Sequence, residues 1–222
     1  MVREALSGRR AQVVAAAFLG VAALLAWPAA SVAGAETASA DGVAAAVLFG
    51  QRMPPPETTA NLPPALQSRL AEYRKREAAF RSALTPPPGA TPDEQRSFEQ
   101  RVGIERVVFC LFDRRDSARI ATLYALDVDV SSGWERSPEQ PRREANYINR
   151  LLNDLPQPWL APYLNLVAGH RRLCAAQMDG EDPRDAARAK GQLTVAAKTG
   201  SPLIRAVAEH VMATARPCSP SL

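Results

Sequence analysis

Four times along this chain a capping side chain stands directly before a proline that opens an apolar, helically spaced segment. A capping oxygen accepts one of the unpaired N–H groups of a first helical turn. Proline fits the next position because its missing N–H would have had no partner there. Thr91-Pro92-Asp93-Glu94 and Ser137-Pro138-Glu139-Gln140 add the acid or amide that completes a capping box. Asp182-Pro183-Arg184-Asp185 is similar, and Ser201-Pro202 lacks the reciprocal partner. Gly133, Gly180 and Gly200 stand where the preceding helices should end in a left-handed residue.

Between these marks the apolar residues recur at three and four. Leu66, Leu70, Tyr73, Phe80 and Leu84 predict a helix over about 63 to 84. Phe98, Val102, Phe109 and Phe112 predict a second from Pro92 to about Arg114, and Ile120, Leu123, Tyr124 and Leu126 a third from Ser117 to about Ser131. Ala145, Ile148, Leu152 and Leu155 lie on a fourth, Pro138 to Leu155. Trp159 to Met178, Pro183 to Thr199 and Pro202 to about Arg216 complete seven. Residues 107–130 also suit a hairpin, since Val107 to Phe112 is a continuous apolar run and Asp127 to Val130 alternates. Helix is preferred there because an isolated hairpin would have no further strand to join. The expected fold is all-α, about seven helices in an irregular antiparallel bundle or a short helix-pair stack of α-solenoid type. No fixed sequence period supports a true repeat array.

The N-terminus carries a different signal. Arg3, Arg9 and Arg10 precede an uncharged stretch from Ala11 to Trp27, after which Pro28 breaks the helix and Val32-Ala33-Gly34-Ala35 offers small side chains. This is the pattern of a cleavable secretory signal, with cleavage after Ala35. An uncleaved membrane anchor is the competing interpretation, for which the apolar stretch is slightly short. The expected organisation is therefore a signal over 1–35, a flexible Pro/Ala-rich leader over 36–62, one helical domain over 63–218 and a short tail over 219–222. Within the leader, Val43 to Phe49 is a candidate short helix docking on the body.

Export changes the meaning of the composition. The signal holds three of the 27 basic and one of the 23 acidic residues, so the net charge falls from +4 to +2 on its removal. The remaining chain lacks the basic excess of a nucleic-acid binder, and Arg74-Lys75-Arg76, Arg114-Arg115, Arg142-Arg143 and Arg171-Arg172 are expected on solvated helix faces. No span after residue 35 is apolar for long enough to cross a bilayer.

Cys110, Cys174 and Cys218 would meet an oxidising compartment, where one bridge and one spare thiol follow from the odd count. Cys174 with Cys218 is the expected pair, because Cys218 sits on a tail that needs fastening and Cys110 lies in the apolar Phe109-Cys110-Leu111-Phe112. Three unbridged thiols are the alternative. His170 and Cys174 share a helix face, and with His210 and Cys218 they form a conceivable zinc set, although the spacing matches no standard motif and no metal or other cofactor is expected.

Catalytic signatures are missing: there is no phosphate-cradling glycine loop, nucleophile elbow or zinc-protease motif. Asp113 and Asp116 are expected as caps or loop residues, and Asp127 and Asp129 cannot share a helical face. Trp134, Trp159 and Tyr163 are expected as packing anchors rather than ligand platforms, and Asn146, Asn149 and Asn153 as a solvated line. The leading expectation is an exported, non-catalytic protein, periplasmic or secreted, that binds another envelope protein or polymer. The alternatives are an envelope hydrolase or modifying enzyme with an unrecognised site, and metal or redox handling at the C-terminal Cys/His cluster.

Overall fold

The computed structural model describes residues 29–125, 134, 137–154, 157–180 and 182–218. These form eight α-helices and, among the described residues, no strand: α1 Ala29–Phe49, α2 Pro64–Ala79, α3 Pro92–Phe112, α4 Ser117–Ala125, α5 Glu139–Asp154, α6 Ala161–Met178, α7 Pro183–Thr199 and α8 Pro202–Thr214. Helices therefore cover 107–112 and 117–125 where a hairpin was the alternative, while Asp127 to Val130 lies outside the described residues.

The capping chemistry operates as its residues dictate. Thr91 accepts from the Glu94 N–H and completes a capping box, Asp182 accepts from Arg184, and Ser201 accepts from Ile204. Ser137 accepts from the Glu139 N–H at 3.4 Å, at the start of α5. The stops are less uniform. Gly180 is left-handed, whereas Gly133 is outside the described residues. Gly200 has φ −77° and is extended, so handedness does not explain it. Space does: a Cβ on Gly200 would lie 2.4 Å from the Ile204 side chain and 2.5 Å from the Ala196 carbonyl.

The end of α2 differs from the periodicity. α2 ends at Ala79 rather than near residue 84, because Phe80 turns extended and its ring packs on Phe109 at 5.6 Å. Glu105 of α3 holds the departing chain, accepting from the Ala83 N–H at 3.0 Å and the Ser82 hydroxyl at 2.5 Å.

The larger difference concerns residues 36–62, expected as a flexible leader apart from a short docking helix at Val43 to Phe49. α1 runs through Ala35 to Phe49, and Val43, Ala44, Ala46, Val47 and Leu48 are in the core. Val43 to Leu48 is apolar on every side, so burial on every side is the arrangement that removes it from water. The proline-rich chain after it is ordered from outside. Arg74 of α2 donates to the Pro54 carbonyl at 2.8 Å and the Thr59 hydroxyl at 2.7 Å, and Gln67 donates to the carbonyls of Ala60 and Leu62 at 2.7 and 2.6 Å. Prolines cannot donate to a ladder, but the carbonyls around them still need donors, and α2 supplies them.

From α5 to α8 each helix packs on the next, and α1 closes the arrangement against α8 and α3. In an open helix-pair stack each unit would touch only its neighbours. Contact between the first and last helices makes this a bundle.

The end of α1 comes very close to α3. Gly50, with φ +69°, lies so near Gly103 that a Cβ on Gly103 would sit 2.8 Å from the Gly50 carbonyl oxygen. That oxygen accepts from Arg106, whose Nε is 3.2 Å from Glu77. Two glycines thus let a buried ion pair on α2 and α3 grip the end of α1.

Candidate functional site

Helix α6 organises the polar interior. Leu164, Leu166, Val167, Ala168, Ala175 and Ala176 leave it no apolar-polar division, and His170, Arg171, Arg172 and Cys174 are buried among them. The expected solvated face for Arg171 and Arg172 is therefore corrected: each is 4 % exposed. Both are tolerated because every charge has a partner.

Arg171 is enclosed. Its Nε donates to Glu144 of α5 at 2.8 Å, one terminal nitrogen donates to the Leu48 carbonyl of α1 at 2.9 Å, and the other meets His170 Nδ1 at 2.7 Å. Its guanidinium lies 4.5 Å from the Phe49 ring centre and 5.2 Å from that of Trp134. Trp134 Nε1 donates to the second Glu144 oxygen at 2.9 Å, so the indole packs and also holds the carboxylate. Arg172 donates to Asp185 of α7 at 2.9 Å and to Asn146 of α5 at 2.7 Å. Arg142 reaches the other Asp185 oxygen at 2.6 Å and Asp179 at 3.0 Å. Burial pushes the Asp185 carboxyl up, but the bonds from Arg142 and Arg172 outweigh it and hold it below the usual range. The asparagine line expected in solvent is exposed at Asn146 and Asn153 and half-buried at Asn149, and it also reaches neighbouring helices, Asn146 accepting from Arg172 and Asn149 from Gln192.

His170 joins this interior to the C-terminal tail. An arginine can only donate, so the Arg171 contact makes Nδ1 an acceptor and leaves the proton on Nε2. Nε2–H then donates to the Pro217 carbonyl and lies 3.4 Å from the Cys174 sulfur. Burial, then the neighbouring Arg171 charge, push the His170 pKa down to about 3.

Cys174 and Cys218 form a disulfide with a Cα–Cα separation of 5.3 Å, and Cys110 is a buried free thiol. Burial, then the nearby Glu77 charge, push Cys110 up to about 12, which makes it a poor nucleophile. The bridge closes a loop of 44 residues, worth about 4 kcal/mol in the chain-entropy model.

Of the four conceivable metal ligands, the structure gathers three, with donor atoms of His170, Cys174 and Cys218 all within 4.8 Å of one another. Their bonding is not that of a metal centre: the sulfurs are joined to each other, and His170 turns an N–H rather than a lone pair toward them. His210 is engaged elsewhere, its Nε2 being 2.6 Å from Asp41 of α1.

Beside the disulfide lies a cleft of about 750 Å³ between α1 and the end of α8. Asp41, Gln51, Gln177, Thr214, Arg216 and Cys218 line it. The remaining sequence candidates fall elsewhere. Trp159 packs on Phe112 at 5.1 Å with Arg114 over its ring at 4.4 Å, and Tyr163 is buried with its hydroxyl donating to Val47. Asp113 is the left-handed cap of α3, Asp116 pairs with Arg114 at 2.9 Å, and Asp127 and Asp129 lie outside the described residues.

Sequence reasoning missed Arg171, Glu144 and Asp185 as buried groups. A signal existed for Arg171, since a helix apolar on all sides forces any charge on it inward. For Glu144 and Asp185 there was none, because their partners come from other helices. No protein-family model, curated protein sequence or solved structure matches this chain.

Proposed function

We propose that this is an exported, non-catalytic helical protein that binds another envelope protein or polymer at the cleft between α1 and the end of α8. The observation that carries the reading is the internal use of the groups a catalyst would need. His170 is held by Arg171 and Pro217, His210 by Asp41, and Glu144 by Arg171 and Trp134. The cleft wall offers the amides of Gln51 and Gln177, the Thr214 hydroxyl and the Arg216 guanidinium, groups suited to recognition by hydrogen bonding. A disulfide supports an oxidising destination. The buried side chains described on α1 begin at Ser39, downstream of the expected cleavage after Ala35.

The hydrolase alternative rests on one feature, the Asp41–His210 pair with Asp41 on the cleft wall. Two measurements on exported protein separate the readings. Intact mass should begin at Glu36, and a photo-crosslinker at Gln177 in the cleft should capture one discrete partner that the same group at exposed Lys198 does not. A retained N-terminal segment, or equal capture from both positions, would overturn the proposal. So would a hydrolytic activity abolished by Asp41→Asn.

A further inference from the structure

The two sulfurs of the bridge have unequal surroundings. Cys174 is fully buried on rigid α6, whereas Cys218 is half-buried and forms part of the cleft wall. Disulfides exchange by thiolate attack on one sulfur with expulsion of the other, and access decides which sulfur is attacked.

We propose that Cys174–Cys218 is a thiol–disulfide exchange site, opened from the cleft by a thiolate that attacks the Cys218 sulfur and expels Cys174. In the first step an S–S bond forms between the incoming sulfur and Cys218, the Cys174–Cys218 bond breaks, and its electron pair leaves on Cys174 as a thiolate. With a dithiol, the second thiolate then attacks the partner's own sulfur in the mixed disulfide and releases Cys218. The dithiol is oxidised to a disulfide, and Cys174 and Cys218 become thiols with protons taken from solvent.

The leaving sulfur is prepared for this. His170 Nε2–H stands 3.4 Å from it, and the Arg171 guanidinium contacts the other ring nitrogen at 2.7 Å, placing a fixed positive charge behind the donor. In the closed state that N–H is engaged by the carbonyl of Pro217, the residue next to Cys218. Once Cys218 is carried off on the incoming thiol, the Pro217 carbonyl can leave with it and the donor passes to the new thiolate. A hydrogen bond and a nearby cation lower a thiol's pKa, and a lower pKa makes a better leaving group. His170 is a positioning residue in this scheme, since it stays neutral and transfers no proton.

The site serves either a small thiol or a dithiol on another protein, and two reductants distinguish these sources. Oxidised wild-type protein in native buffer is exposed to glutathione or to a reduced protein carrying a Cys-X-X-Cys pair, quenched in acid, denatured and alkylated. The expected glutathione product carries the adduct on Cys218 and the alkyl group on Cys174, forming faster than the protein unfolds. Faster reduction by the protein dithiol at equal thiol concentration would identify the macromolecular source, and equal rates the small one. His170→Leu should slow native exchange several-fold while leaving exchange in urea unchanged, and His170→Gln, which keeps an N–H donor, should restore part of the rate. Adducts on Cys174, an even division between the sulfurs, or reduction no faster than global unfolding would overturn the proposal.

Discussion

Replacing Arg171 by methionine tests whether the interior of this bundle is held by a charge network. Methionine keeps most of the aliphatic volume between Phe49 and Trp134 and deletes the guanidinium. Glu144, 3 % exposed, is then left with Trp134 Nε1 alone among its described donors, and the Leu48 carbonyl and His170 Nδ1 each lose the Arg171 donor. Removing one member of a buried ion pair costs about 3–5 kcal/mol, most of it from the charge left behind. The cavity beside Arg171 is only about 30 Å³ in wild type, room for about two waters, so solvent entering the variant can offset only part of that cost. For a chain of this size the loss corresponds to a fall in Tm of roughly 2–4 °C per kcal/mol. Urea unfolding at pH 7, followed by circular dichroism with the disulfide intact, measures the change. Arg171→Met combined with Glu144→Leu should recover a large part of the stability, because the orphaned charge goes with its partner. A loss below about 1 kcal/mol for Arg171→Met, or no recovery in the double variant, would refute a buried charge network as the source of stability.

Two further outcomes follow from the same interior. His170 has a folded pKa pushed down to about 3, below its unfolded value of about 6.5, so the unfolded chain takes up a proton that the folded one refuses. Its contribution is fully present above pH 6.5 and is lost as pH falls toward 3, at about 1.4 kcal/mol per pH unit. Unfolding free energies from urea titrations at pH 7 and pH 5 should therefore differ by about 2 kcal/mol more in wild type than in His170→Asn, and equal pH dependence would remove His170 as the source. Gly103→Ala would force a Cβ to within 2.8 Å of the Gly50 carbonyl, so it should destabilise by about 1–3 kcal/mol, whereas alanine elsewhere in a helix interior usually helps. Thermal unfolding reads this, and an unchanged or raised Tm would show that the α1–α3 approach is loose.

Much of the fold was legible because its signals are local. A cap and a proline specify a helix start within four residues, and the starts of α3, α5, α7 and α8 lie at or one residue from the positions those pairs predict. The Cys174–Cys218 pairing was legible for a similar reason: an apolar setting marks Cys110 as interior, and a proline-flanked tail marks Cys218 as the end to be tied. Burial within residues 36–62 was only half visible. Val43 to Leu48 is apolar enough to be core, but the prolines that follow suggest an unstructured leader, and the donors that order them come from Arg74 and Gln67 of another helix.

The sequence by itself therefore determined the helical class, most helix starts, the interior Cys110 and the bridge at the tail, because each depends on neighbours within a turn or on a choice among three cysteines. Tertiary structure alone decided that the proline-rich chain after α1 is held in order, that Arg172, Glu144 and Asp185 lie inside, and that His170 offers a proton rather than a lone pair to the sulfurs. Those outcomes depend on which groups from distant helices arrive within about 3 Å, and a buried charge is stable only where such partners meet it.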